Sequence, residues 1–303
     1  VNTKVVINGG TFDATIKGMT NAMINVSEDS VVTINGGVFK NVNGTIPQFA
    51  PYMFTYEKNG KLIINGGDFY GGWRFNGETT TTDIYGGNFK DNEVNTVADS
   101  ADTATQGGVI YNYGTLSIYG GTFEGNAAYF GGVFFNYRTM NIYSATFKNN
   151  TGSSMGGVIY MPNSGAAFTY IGEENEVVAP NVVFENNTAK GYGGAIYAKN
   201  KITIKNSTFK NNKSTADNGG AIAATNIRLA IENCLFESNS SAEYGGAVYV
   251  SGANTADEKE LNITSSVFNK NTANRAGAVY VASSAEAYIF KTNFYENTAA
   301  YGG

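Results

Sequence analysis

The sequence predicts an all-β protein that folds as a parallel β-helix of about eleven coils. Two observations lead to this prediction. A phrase that begins with isoleucine and ends with phenylalanine five residues later recurs along the 303 residues. No stretch of about 10 to 12 residues has the apolar spacing of an amphipathic helix. The units between the repeats instead combine β-branched and aromatic runs with Gly, Asn and Ser, which is typical of short strands joined by turns.

The repeated phrase begins with INGGTF at Ile7 and occurs in eleven copies, of which the one ending at Phe184 has Ala179 in place of isoleucine. Its phenylalanines are Phe12, Phe39, Phe69, Phe89, Phe123, Phe147, Phe184, Phe209, Phe236, Phe268 and Phe294. Successive copies lie 20 to 37 residues apart, a tolerant period typical of solenoids. A unit of about 25 residues fits three short strands and three turns, so we expect three strands in each coil.

Asparagine stands three residues after phenylalanine in eight consecutive copies, whereas the first three copies have Thr15, Val42 and Gly72 there. Coils of a parallel β-helix stack about 4.8 Å apart, so equivalent residues touch. The Ile and Phe columns should therefore form apolar ladders in the core. The Asn column should form an amide ladder, and asparagine also tolerates the left-handed turn conformation. The predicted ladder consists of Asn92, Asn126, Asn150, Asn187, Asn212, Asn239, Asn271 and Asn297.

Two further columns have restricted composition. The position two before phenylalanine is always small or β-branched, which indicates crowding against the backbone, and Cys234 belongs to this column as a packing residue.

The residue after phenylalanine should face solvent, and its charge alternates over six copies. Opposite charges on adjacent coils attract, so the alternation would fix the register, unless it is a coincidence. The alternating residues are Lys90, Glu124, Lys148, Glu185, Lys210 and Glu237.

The pair of motifs F-x-x-N and G-G-A-[IV]-Y, as in GGAIY at Gly193 and GGAVY at Gly245, resembles the repeats of the polymorphic outer-membrane proteins of chlamydial bacteria and of adhesin-like proteins of gut microbes. The resemblance covers about residues 85–303. It implies a right-handed parallel β-helix with the pectin-lyase-like fold, in a secreted, surface-exposed stalk or adhesin.

We expect residues 1–303 to form one β-helix domain, with INGG-type coils in 1–121 and coils of the F-x-x-N and G-G-A type in 122–303. The chain begins within a strand-like run and stops at a Gly-Gly pair. We therefore expect either further repeats of the same chain or head-to-tail self-association.

The same fold hosts polysaccharide lyases and glycosidases, so an enzyme is the alternative. The sequence has no histidine, and its acidic residues are scattered, although Asp68 and Asp83 could approach each other on adjacent coils. We predict no catalytic residue, no cofactor and no metal site. The candidate glycan contacts are Trp73 and Arg74 in GGWRF. The tyrosine column through Tyr111 and Tyr197 is interpreted as packing, with an exposed sugar-binding stripe as the alternative.

The net charge of −5 has the wrong sign for a protein that binds nucleic acids. The sequence contains no apolar run long enough to predict a membrane helix. We therefore predict a non-enzymatic, extracellular or cell-surface structural element, which would be a stalk, an adhesin segment or a filament subunit. Surface glycans are its candidate ligands. The alternative is a β-helix that binds or cleaves polysaccharides.

Overall fold

The chain winds into a parallel β-helix in the computed structural model, which describes residues 3–14, 23–40, 53–71, 77–94, 106–162, 169–172, 182–252, 260–282 and 285–302. Strands that neighbour each other in a sheet come from successive coils and run parallel. Two sheets contain eleven strands each, which confirms the predicted number of coils.

The Ile sheet and the Phe sheet hold the two ends of the repeated phrase. The Ile sheet consists of Lys4–Ile7, Val31–Ile34, Lys61–Ile64, Thr81–Ile84, Thr115–Ile118, Thr139–Ile142, Thr169–Ile171, Ile202–Lys205, Leu229–Glu232, Glu260–Thr264 and Glu286–Phe290. The Phe sheet consists of Thr11–Asp13, Val38–Lys40, Asp68–Tyr70, Asn88–Lys90, Thr122–Glu124, Ala145–Lys148, Val182–Glu185, Ser207–Lys210, Leu235–Glu237, Val267–Asn269 and Asn293–Tyr295.

Two seven-stranded sheets complete the later coils. The post-Asn sheet follows the asparagine column and consists of Ala127–Phe130, Thr151–Met155, Thr188–Ala189, Lys213–Ser214, Ser240–Ser241, Thr272–Arg275 and Thr298–Tyr301. The Gly-Gly sheet follows the glycine pairs and consists of Ile110–Asn112, Phe134–Asn136, Ile159–Met161, Ile196–Ala198, Ile222–Thr225, Val248–Ser251 and Val279–Val281. A separate pair joins Ile24–Val26 to Phe54–Tyr56.

The prediction of three strands per coil is therefore wrong for residues 106–302, where coils contain four. The glycine pair is the cause, because it turns the chain sharply between a post-Asn strand and a Gly-Gly strand. The first glycine of the pair has a left-handed φ of +64° to +69° in six coils, and Ala276 takes the same conformation with a φ of +53° in the seventh. Such a turn lets one more short strand fit into each coil.

The Phe column forms the predicted continuous ladder in the core. All ten pairs of consecutive rings are parallel stacks with centroids 4.5–5.0 Å apart. The nine rings from Phe39 to Phe268 are fully buried. Each buried ring contributes roughly 1.5–3 kcal/mol of transfer free energy. The stacking geometry adds about 0.5–1.5 kcal/mol for each pair.

The Ile column is continuous as well, and it corrects one assignment. The position that pairs with Phe184 in the Ile column is occupied by Ile171 and not by Ala179. Ile171 lies in register with Ile142 and Ile204. Residues 173–181, which lie outside the described part, separate Ile171 from its phenylalanine. The insertion interrupts the phrase in the sequence without interrupting the ladder.

The small column two before phenylalanine is crowded, as predicted. Five glycines in it have a φ of +106° to +119°, and a Cβ on Gly37 would lie 3.0 Å from the carbonyl oxygen of Gly10 on the preceding coil. In the later coils Cys234 occupies the column and is buried.

The second glycine of each pair is required for close approach of the coils. A Cβ on Gly194 would lie 2.5 Å from the backbone nitrogen of Lys213 and closer still to the carbonyl oxygen of Gly220. We predict that Gly194→Ala destabilises the protein by at least about 3 kcal/mol, measured by urea unfolding.

The matched control is Gly9→Ala, because no heavy atom lies within 4 Å of a Cβ built there. This control should change stability by no more than about 0.5 kcal/mol. Equal effects at the two positions would contradict the requirement for close approach.

Candidate functional site

The eight asparagines predicted as a ladder are brought together in one column between the Phe sheet and the post-Asn sheet. Seven are fully buried, and Asn297 is half-buried. Each Nδ2 donates to the Oδ1 of the next asparagine, with seven distances of 2.7–3.0 Å. The same Oδ1 also accepts the backbone N–H of the preceding rung at 2.9–3.1 Å.

Each rung also reaches backwards along the axis. The Nδ2 of Asn150, for example, donates to the carbonyl oxygen of Phe123 on the preceding coil at 2.9 Å. One amide therefore joins three coils, which satisfies buried polar groups that would otherwise each cost about 1–3 kcal/mol. At the first rung, the buried Oδ1 of Asn92 receives no hydrogen bond from the described residues. The preceding copy has Gly72 at this offset, which has no side-chain amide.

The left-handed conformation lies one residue before the ladder and not on its asparagines. All eight residues at this position have a φ of +49° to +68°, and they are Asp91, Gly125, Asn149, Asn186, Asn211, Ser238, Lys270 and Glu296. The turn directs the next side chain into the core. The ladder therefore depends on the paired donor and acceptor of the asparagine side chain and not on tolerance of positive φ.

The alternating charges after phenylalanine face one another on adjacent coils, as predicted. Their strands are in register from Lys90 to Glu237. Ion pairs form between Lys90 and Glu124 at 3.2 Å, Lys148 and Glu185 at 3.8 Å, and Lys210 and Glu237 at 2.9 Å. The hydrogen bond to Glu237, with its negative charge, raises the pKa of Lys210.

The acidic residues expected to meet do not form a pair. Asp68 lies in the Phe sheet and accepts a hydrogen bond from Asn88 at 2.8 Å, whereas Asp83 lies in the Ile sheet and pairs with Lys61 at 2.7 Å. The two strands occupy different sheets because the turn of the INGG phrase lies between the two columns. Among the described residues, no group of three or more Cys, Asp or Glu side chains lies close enough to hold a metal ion.

In the tyrosine column of the Gly-Gly sheet, Tyr111 and Tyr197 are buried and their rings stack on neighbours, as packing requires. The other members of the column, Tyr160, Tyr249 and Tyr280, are half-buried. The candidate glycan contacts Trp73 and Arg74 lie outside the described residues.

Cys234 is a free, buried thiol whose pKa is raised to about 12 by burial, which confirms a packing role.

One exposed column, which stands directly after isoleucine in successive coils, was not predicted from the sequence. Asn8, Asn35 and Asn65 form a second amide ladder at 2.8 and 2.7 Å. Tyr85, Tyr119 and Tyr143 follow in the same column as parallel rings 4.7 and 4.9 Å apart. Tyr85 and Tyr119 are 51% and 41% exposed, and one face of each ring covers the other. The sequence does contain a signal for this column, because each of these residues directly follows the isoleucine of its repeat.

We predict that Asn187→Ala destabilises the protein by about 3 kcal/mol, because the N–H and Nδ2 of Asn150 lose their acceptor and the carbonyl of Phe147 loses a donor. Urea unfolding measures the effect. The control is Asn141→Ala, a half-buried asparagine of the Ile sheet, for which a change below about 0.5 kcal/mol is expected. A loss at position 187 as small as at 141 would contradict a stabilising ladder.

We also predict that Glu237→Lys lowers the melting temperature more than Glu237→Gln at 20 mM salt, because it places a second cation beside Lys210. At about 0.5 M salt the two variants should melt together, since exposed charges are then screened. Equal melting at low salt would show that the alternation does not stabilise the register.

The described residues contain no helix, and so none that is long and apolar enough to cross a membrane. Comparison with known proteins gives one match, a family model described as a right-handed β-helix region, over residues 131–302. No curated protein and no solved structure matches the chain. The family match covers more than half of the chain and agrees with the parallel coils and their ladders. The chain therefore belongs to the right-handed β-helix family.

Proposed function

We propose that the chain is a non-enzymatic structural element, a stiff β-helical stalk or adhesin segment outside the cell or on its surface. The resemblance of the F-x-x-N and G-G-A-[IV]-Y repeats to those of surface proteins supports this location. Further repeats of the same chain or a second copy are the proposed neighbours along the axis.

One observation supports the structural role. The amide, charged and tyrosine side chains of the repeated columns bind the side chains at the equivalent positions of adjacent coils. The Asn ladder joins consecutive coils through buried amides, and the Lys and Glu column forms ion pairs across coils. The exposed tyrosine rings stack on one another. These contacts stiffen the rod along its axis.

The rigidity of the rod is tested in a double variant, Val6→Cys with Tyr288→Cys, in which both cysteines carry dyes. The two positions lie in one column of the Ile sheet, and the distance between the dyes is measured. Both positions are exposed, and they lie ten coil spacings apart, or about 48 Å. The buried thiol of Cys234 should not react with the dyes. Single-molecule energy transfer should give one narrow distance distribution near this value. A broad or collapsed distribution would contradict a stiff spacer.

The absence of an enzymatic role is tested on the same protein with pectate, cellulose, chitin and starch. No new reducing ends and no unsaturated uronate should appear. Release of either product would favour the polysaccharide-cleaving alternative, whatever the rigidity of the rod.

A further inference from the structure

The exposed tyrosine column, formed by Tyr85, Tyr119 and Tyr143, brings the phenol rings of three consecutive coils together. The first two rings have centroids 4.7 Å apart and planes 8° apart, and the next two have centroids 4.9 Å apart and planes 14° apart. The backbone fixes this register. The N–H of Tyr119 donates to the carbonyl oxygen of Ile84 at 2.7 Å, and that of Tyr143 donates to Ile118 at 2.8 Å. The coils therefore hold these phenols as permanent neighbours.

The exposed tyrosine column is also open to soluble reagents. Tyr85 and Tyr119 are 51% and 41% exposed, and Tyr143 is half-buried. The parallel pair Tyr249 and Tyr280 of the Gly-Gly sheet differs in both respects, since both rings are half-buried and their centroids lie 5.8 Å apart. A reactive species formed on a ring of the exposed column therefore meets a second phenol at a shorter distance.

Other exposed tyrosines lack such a neighbour. Three tyrosines on the coil that ends at Tyr301 are more exposed than Tyr85, but the residues in register on the preceding coil are not tyrosines. These three are Tyr288, Tyr295 and Tyr301, which pair with Asn262, Asn269 and Arg275. Solvent exposure and a stacked phenol neighbour thus coincide in the exposed tyrosine column.

We propose that the exposed tyrosine column is an oxidative cross-linking site, at which a peroxidase with hydrogen peroxide joins Tyr119 to Tyr85 or to Tyr143 as dityrosine. Each of the two phenols gives up one electron and its hydroxyl proton. The two phenoxyl radicals then join through a carbon–carbon bond between ring positions ortho to oxygen. The hydrogens of those two carbons move to the oxygens and restore both phenols. The chain loses two hydrogen atoms in all, and one molecule of hydrogen peroxide takes them up to become two of water.

Proximity favours coupling within the column. Groups that are held side by side react as if they were present at a very high concentration, so a radical on one ring couples with its neighbour before it meets another chain. Tyr85 and Tyr119 lie 34 positions apart in the sequence, and a bond between them would join two consecutive coils covalently. The proposal deepens the structural role and rests on it, because the bond would add a covalent link to the contacts that stiffen the rod.

Oxidation of the dilute, monomeric full chain with a peroxidase and hydrogen peroxide tests the proposal. The monomer is then isolated by size exclusion, its dityrosine fluorescence is measured, and the linked peptides are identified by mass spectrometry. We expect peptides that join Tyr119 to Tyr85 or Tyr143 to be at least tenfold more abundant than those that join Tyr249 to Tyr280. Tyr119→Phe keeps the ring but removes the middle phenol, and it should lower the fluorescence at least fivefold. Tyr249→Phe is the matched control and should leave the fluorescence unchanged.

A second comparison uses the unmodified chain alone. Folded chain and urea-unfolded chain are oxidised by a light-activated ruthenium complex with persulfate, which needs no folded enzyme. Unfolding should lower the yield of the link between Tyr85 and Tyr119 at least tenfold, because only the coils bring these residues together. The folded, cross-linked monomer should also require a higher urea concentration for unfolding, since the bond restricts the unfolded chain.

The site is overturned if Tyr119→Phe keeps the dityrosine of the unmodified monomer, or if the unfolded chain forms as much of the link as the folded chain. An unchanged urea midpoint after cross-linking would overturn its stabilising role. The distance between dyes at positions 6 and 288 is measured without oxidation. Failure of the cross-link and failure of the stiff rod are therefore distinguishable.

Discussion

The spacing of about 4.8 Å between coils is the constraint on which the rest of the structure depends. Because the strands are parallel and in register, each side chain lies beside its own equivalents, so a column survives only if its residue type is compatible with itself. Phenylalanine and isoleucine satisfy this by stacking in the core. Asparagine satisfies it because its amide both donates and accepts, so one residue type forms an unbroken chain of hydrogen bonds. Lysine alone would repel itself, and the column after phenylalanine alternates with glutamate for that reason.

The same constraint links stability to function. A solenoid whose polar and aromatic groups are used between coils has few of them left for chemistry, which supports a stalk or adhesive role. Ala223 departs from the tyrosine column of the Gly-Gly sheet, and the ring of Tyr192 on the preceding coil lies 5.2 Å from that of Tyr197 and 6.0 Å from that of Tyr249, which stand on either side of it.

Much of this architecture could be predicted from the sequence, because a column appears there as one residue type at a fixed offset. The Phe, Ile and Asn ladders were predictable for this reason. The fourth sheet was not, since strands such as Thr188–Ala189 are too short to show an alternating pattern. The left-handed position before each ladder asparagine carries residues as different as Asp91, Ser238 and Lys270, so no common residue type marks it.

Hydrogen exchange of the asparagine side-chain amides, followed by NMR, tests the central claim most directly. If buried amides join the coils, the Nδ2 protons of Asn126, Asn150, Asn187, Asn212 and Asn239 should exchange only when coils open. They should then be slower than the exposed amides of Asn8, Asn35 and Asn65 by about 100-fold or more. Exchange of the buried amides at the rate of the exposed ones would contradict a ladder that holds the coils together.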